Sequence, residues 1–140
     1  MAESKVLYVV LGEPSGDALA AEVYGALQHS LGHDVRCIGL AGEKLAIMGV
    51  DSLIDIEDLS VMGNGPVLSR LPTLMKRVYQ TVADIERKKP DVILLIDSPE
   101  FCAAVAKRVR KKLPDTPIVK YVCPSVWAWR PGRAIKMRAY

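Results

Sequence analysis

The chain has 140 residues, half of them apolar and a quarter charged, which suits one globular domain with enough length to bury a core. No apolar run reaches the roughly 20 residues of a membrane-spanning helix. The opening "MAESKVLYVVLGE" also lacks a signal peptide's basic start and cleavage site, so a cytoplasmic protein is expected. The net charge of +3 hides an asymmetry, because residues 1–104 hold nine Lys/Arg against fifteen Asp/Glu and residues 105–140 hold ten against one. The C-terminal end should therefore attract anions.

The elements alternate. "KVLYVVL" (5–11) is a continuous apolar run, as expected of a strand buried on both faces. "GEPSGD" follows, then a helical stretch with Leu19, Val23, Leu27 and Leu31 at four-residue spacing. "DVRCIGL" (34–40) predicts a second strand, residues 43–48 a short helix, and "DSLI" (51–54) a weak third strand. Residues 59–71 are apolar but interrupted by glycine and proline, and read as a loop with room for one helical turn. From Pro72 the stripe Leu74, Met75, Val78, Val82 and Ile85 predicts a helix. "DVILLID" (91–97) is the clearest strand. Ser98 can cap the next helix with Pro99 at its first position, and "PIVKYV" (117–122) closes the series. This order predicts an α/β fold, a Rossmann-like parallel sheet with helices on both faces.

In such a sheet, ligands bind beyond the carboxyl ends of the strands, near the point where strand order reverses. Residues 12–17, 97–101 and 123–133 leave those ends, and they are also the chemically unusual segments. "GEPSGD" matches neither the dinucleotide nor the P-loop fingerprint. A strand-to-helix turn capped by Ser15, with Asp17 in the first turn, accounts for most of it, but Glu13 is not required by such a turn. Asp97 could act as general base on a hydroxyl, or could merely cap a helix. Trp127 and Trp129 lie two apart in "CPSVWAWRPGR", so an extended segment turns both rings the same way. They suit stacking on sugars, resting at a membrane boundary, or plugging the loop onto the core.

The three cysteines Cys37, Cys102 and Cys123 are widely spaced, and His29 and His33 are remote from them. Free thiols are expected, with no zinc site, disulfide or cofactor. The basic run Lys107, Arg108, Arg110, Lys111 and Lys112 reads as a solvated helix end or as a surface for anionic lipid. Nucleic acid is disfavoured, since aromatic residues are not interleaved with the cations.

Taken together, "GEPSGD", "LSVMG" (59–63), "KPDVILLIDSPEF" (89–101) and "YVCPSVWAWRPGR" (121–133) resemble the N-terminal part of the lipid-A-disaccharide synthase family. The resemblance covers most of the chain. It implies a single Rossmann-like acceptor-side domain over 1–140, the N-terminal half of a two-domain GT-B glycosyltransferase that needs no metal. That enzyme joins UDP-2,3-diacylglucosamine to 2,3-diacylglucosamine 1-phosphate and releases UDP. The family's general base falls on Asp97, and substrate contacts fall on Glu13, Ser15, Gly16, Asp17, Ser125, Trp127, Trp129 and Arg130.

The same resemblance implies peripheral docking on the cytoplasmic face of a Gram-negative inner membrane. That docking would use Val61, Met62, Val67 and Leu68 with Lys107, Arg108 and Lys111. Three stretches depart from the family pattern: "NGPV" after "VMG", "EFC" after "IDSP", and Lys120-Tyr121-Val122 where His-Tyr-Val is usual. The family's chains run well over twice this length. A truncated product is therefore expected, inactive alone and needing a partner domain or chain for the UDP-donor site. The alternative from another class is a non-catalytic membrane-surface or protein-binding module, and a stand-alone nucleotide-binding domain is the third.

Overall fold

The computed structural model describes residues 3–60 and 67–122, apart from the side chains of His33, Ser60, Val67 and Leu68. Four parallel strands form its sheet: β1 (Lys5–Val10), β2 (Val35–Gly39), β3 (Val92–Ile96) and β4 (Ile118–Tyr121), in the spatial order β2-β1-β3-β4. Helix α1 (Pro14–Leu31) links β1 to β2, and α2 (Glu43–Ile47), α3 (Glu57–Ser60) and α4 (Val67–Lys88) lie between β2 and β3. Helix α5 (Pro99–Lys112) links β3 to β4. Consecutive residues Leu7–Val10 and Ile93–Ile96 are all buried. Since neighbouring side chains on a strand point to opposite faces, both faces of the central strands are covered. The α4 and α5 helices pack on each other, while α1 packs with α2.

Strand order reverses between β1 and β3: the chain steps from β1 outward to β2, then returns to the other side. Their register, Leu7 beside Val92 through Val10 beside Leu95, brings the two strands to their carboxyl ends together. Asp91 secures the opposite end, its Oδ2 accepting from the Val6 amide at 2.7 Å and its own amide donating to the Val6 carbonyl at 3.0 Å.

Two sequence expectations are corrected. The segment "DSLI" contributes one isolated bridge between Gly39 and Ser52, not a strand. The Ser52 hydroxyl accepts from the Ala41 amide at 2.9 Å and donates to the Ile54 carbonyl, diverting the backbone into a turn. The predicted loop over 59–71 takes in the end of α3 and the first turn of α4, which starts at Val67 rather than Pro72. Pro72 sits inside that helix. Proline there forfeits one helical hydrogen bond, and the burial of Val78, Val82 and Ile85 further along keeps the helix in place.

One buried polar group ties α4 to the sheet. Tyr8, fully buried on β1, donates its hydroxyl to Asp84 Oδ2 at 2.7 Å. Arg87 donates to Asp84 Oδ1 at 2.8 Å, and Lys88 lies 3.4 Å from Oδ2. Burial pushes the Asp84 carboxyl up, but the bonds from Tyr8 and Arg87 and the Lys88 charge outweigh it, so the group sits below the usual range.

Candidate functional site

The candidate site is the seam where β1 and β3 end. β1 runs into buried Leu11 and Gly12, then exposed Glu13, Pro14 and Ser15 on the first turn of α1. β3 runs into half-buried Asp97 and Ser98, with α5 starting at Pro99. The Ser15 hydroxyl donates to Asp97 Oδ2 at 3.0 Å, joining two loops 82 positions apart in sequence. Glu13 Oε2 is 3.4 Å from the same hydroxyl. A hydroxyl has one proton to donate, and the shorter contact to Asp97 is the better hydrogen bond. Among the described residues no hydrogen bond reaches Asp97 Oδ1.

The backbone beneath Asp97 is unusual. Asp97 and Ser98 have φ of 54° and 39°, and Val122, just past β4, has φ of 65°. Left-handed conformations at non-glycine residues are strained, most of all at β-branched valine. Three of the four such residues in the described chain thus lie at the carboxyl ends of the neighbouring strands β3 and β4. Gly12 is matched to this bend, because a Cβ there would come within 2.6 Å of Ser98 Oγ.

Several expected roles change. Ser15 does not cap α1; Glu13 occupies the cap position, without a side-chain cap bond, and the Ser15 hydroxyl turns to Asp97. Ser98 stands at the cap position of α5 but makes no side-chain cap bond. Its left-handed backbone is the reason: the cap geometry that aims an oxygen at the helix amides needs extended φ and ψ. Asp17, expected at the substrate, is 3% exposed. Its carboxylate accepts from the amides of Gly42 at 2.9 Å, Lys44 at 2.8 Å and Leu45 at 3.2 Å, so it serves the start of α2. Gly16 is buried, and its missing Cβ would lie 3.3 Å from Leu11 Cβ and 3.5 Å from Ile96. It lets α1 close onto the strand ends.

The basic run expected to face lipid lies away from this rim. With a rise of about 1.5 Å per residue, Lys107 and Lys111 are roughly 12 and 18 Å along α5 from its start beside Asp97. Both are exposed. Arg108 stacks 5.2 Å from the Tyr79 ring centroid and donates to the Ala104 carbonyl at 2.9 Å. Lys112 pairs with Glu86 at 3.0 Å.

Ser125, Trp127, Trp129, Arg130, Val61 and Met62 lie outside the described residues, as do the side chains of Val67 and Leu68. Among the described residues no helix is long and apolar enough to cross a membrane, and no cluster of His, Cys, Asp and Glu could hold a metal ion.

Sequence reading did not assign Gly12 or Lys120 to the site. Gly12 was visible only as part of a turn. Lys120 carried a signal, being the single charge inside "PIVKYV"; its ammonium donates to the Asp97 carbonyl at 2.7 Å.

Comparison with known proteins gives a consistent answer. The family model described as lipid-A-disaccharide synthetase matches residues 7–140. The lipid-A-disaccharide synthase of Nitrobacter hamburgensis is 44% identical over 98% of this chain and 35% of its own length. That of Rhodopseudomonas palustris strain HaA2 is 46% identical over 96% of this chain and 34% of its own. The corresponding protein of Rhodospirillum centenum is 40% identical, again over 96% and 34%. The chain thus spans about a third of the length of the curated relatives it matches. With its parallel sheet, its seam between β1 and β3 and this match over nearly all its residues, the chain belongs to the lipid-A-disaccharide synthetase family.

Proposed function

We propose that residues 1–140 form the acceptor-side, N-terminal half of a GT-B glycosyltransferase. In this reading the enzyme transfers 2,3-diacylglucosamine from its UDP donor to 2,3-diacylglucosamine 1-phosphate. The single observation that carries it is the Ser15–Asp97 hydrogen bond, which joins two strand-end loops at the place where α/β sheets bind ligands. Family membership supports a sugar-nucleotide donor and a lipid acceptor.

Asp97 is the general base. Ser15 fixes Oδ2, and Oδ1 takes the proton of the acceptor's 6-hydroxyl as that oxygen attacks the anomeric carbon. The bond from that carbon to UDP breaks, UDP leaves with the electron pair, and the configuration inverts. Glu13 and the segment with Ser125, Trp127, Trp129 and Arg130 line the sugar site. The UDP site belongs to the part of the relatives that this chain does not span, so the 140 residues are inactive alone.

The test is Asp97→Asn in the full-length enzyme containing these residues. General-base catalysis contributes roughly 10²–10⁴ in rate, so kcat should fall at least about 100-fold with folding intact. A loss below about tenfold removes Asp97 as the base.

Both substrates carry acyl chains, with each buried methylene contributing about 0.8 kcal/mol to residence in the bilayer. The enzyme therefore docks peripherally on the inner membrane's cytoplasmic face. Exposed Lys107 and Lys111 contribute more than Arg108, which already stacks on Tyr79, and Val61, Met62, Val67 and Leu68 supply apolar contact. Flotation of the full-length enzyme on anionic vesicles should weaken with salt and with Lys107→Glu/Lys111→Glu. Equal binding to neutral vesicles, independent of salt, rules this docking out.

A further inference from the structure

Asp97 stands on two consecutive left-handed residues, and the backbone needs partners to stay there. The β3–β4 ladder ends at Ile96 beside Tyr121, so the Asp97 carbonyl has passed the last rung. The register sets Lys120 beside Leu95, two residues short of Asp97. A strand advances about 3.3 Å per residue, and a lysine's four-carbon stem spans that offset. The half-buried Lys120 runs along the sheet, and its ammonium donates to the Asp97 carbonyl at 2.7 Å.

Three further contacts meet the same bend. Ser15 holds the Asp97 carboxylate, the Cys102 amide donates to the Ser98 carbonyl at 2.9 Å, and Gly12 leaves room for the Ser98 side chain. Of the groups holding the bend, Lys120 alone comes from β4 and alone brings a full charge to the Asp97 backbone. Charge-assisted hydrogen bonds are about twice as strong as neutral ones.

We infer that Lys120 is a positioning residue: it clamps the left-handed Asp97–Ser98 turn from the neighbouring strand and so holds the Asp97 carboxylate in place at the seam between β1 and β3. The inference rests on the reading of Asp97 as base for its catalytic consequence, though not for the clamp itself. A positioning group acts through geometry, and a 1 Å misplacement of a reacting group can cost on the order of 100-fold in rate.

The experiment compares Lys120→Met, Lys120→Arg and Asp97→Asn in the full-length enzyme, by steady-state kinetics and amide hydrogen exchange. Lys120→Met keeps the apolar stem and removes the donor; Lys120→Arg keeps a charged donor. In Lys120→Met, exchange at Ser98 and at Glu100–Cys102 should quicken about tenfold or more, with β1 and β3 unchanged. Its kcat should fall about 10- to 100-fold, with KM for both substrates within about twofold, and Lys120→Arg should restore most of the rate.

Unchanged exchange in Lys120→Met overturns the clamp whatever Asp97 does. Faster exchange with undiminished kcat, while Asp97→Asn is inactive, overturns the positioning role and leaves the base in place. A raised KM with kcat preserved does the same, making Lys120 a contact for a substrate phosphate. An active Asp97→Asn enzyme removes the functional reading separately, and hydrogen exchange still decides the clamp.

Discussion

Gly12 and Ser98 are fitted to each other across the seam between β1 and β3. A Cβ at Gly12 would stand 2.6 Å from Ser98 Oγ and 3.2 Å from Ser98 Cβ. Gly12 has no positive φ to explain its identity, so the requirement is one of space. Gly12→Ala should push Ser98 away and displace Asp97 with it. In the full-length enzyme the expected result is a fall in kcat of about tenfold or more, with a stability loss of about 1–3 kcal/mol from overpacking. Kinetics beside denaturant melts separate the two effects, and wild-type kcat would remove the coupling of Gly12 to the site.

Asp17 serves α2 from the first turn of α1. Three backbone amides converge on its buried carboxylate. Asp17→Ala strands all three, and hydrogen bonds to charged groups are individually worth about 1.5–3 kcal/mol. A loss of about 2–4 kcal/mol is expected in urea unfolding, with Asp17→Asn intermediate because it keeps one oxygen. Gly42→Ala should mimic part of this loss, since its Cβ would lie 2.7 Å from the Asp17 carboxyl carbon.

Acid should loosen the α4 contact with the sheet. Burial opposes ionisation of Asp84, yet Tyr8, Arg87 and Lys88 hold its pKa below the unfolded value. A carboxylate with a depressed folded pKa stabilises fully above its unfolded pKa, about 3.9, and loses that contribution as pH falls through the folded value. Stability should therefore decline below about pH 4. Asp84→Asn should flatten that part of the pH–stability curve while lowering stability at pH 7. An unchanged acid limb in this variant would show that other carboxylates govern it.

Cys37 and Cys102 are expected to be chemically silent in the folded protein. Burial raises both thiols to about 12; for Cys102 the nearby Lys120 pulls the other way without reversing the shift. The thiolate is the reactive form, so iodoacetamide at pH 8 should leave both unmodified until guanidinium is added. Peptide mass spectrometry reads this directly, and rapid native labelling of either would contradict its burial.

The two central strands were legible because parallel strands buried on both faces are written as unbroken apolar runs, as in "KVLYVVL" and "DVILLID". Their carboxyl ends, and hence the meeting of the loops 12–17 and 97–101, followed from the direction of a parallel sheet. What remained hidden depends on side chains that act across space. The Ser15 and Ser98 caps follow from local preference, and both were overridden by the geometry of the seam. Asp17 looked like a first-turn acid, and nothing local reveals that Gly42, 25 residues later, sets the start of α2 against its oxygens. Pro72 read as a helix start because its local preference is strong, while the packing that carries α4 through it is tertiary. Lys120 was visible as a misplaced charge in a strand, but its target lies on another strand.

The contact between Ser15 and Asp97 spans 82 positions of chain. It cannot form in any segment that lacks either β1 or β3, nor before those strands have paired. Ribosomal synthesis must pass residue 97 before the seam has two sides. Any probe that senses this contact therefore doubles as a gauge of whether the sheet's centre has assembled, and variants that slow the joining of those strands should delay its formation in step.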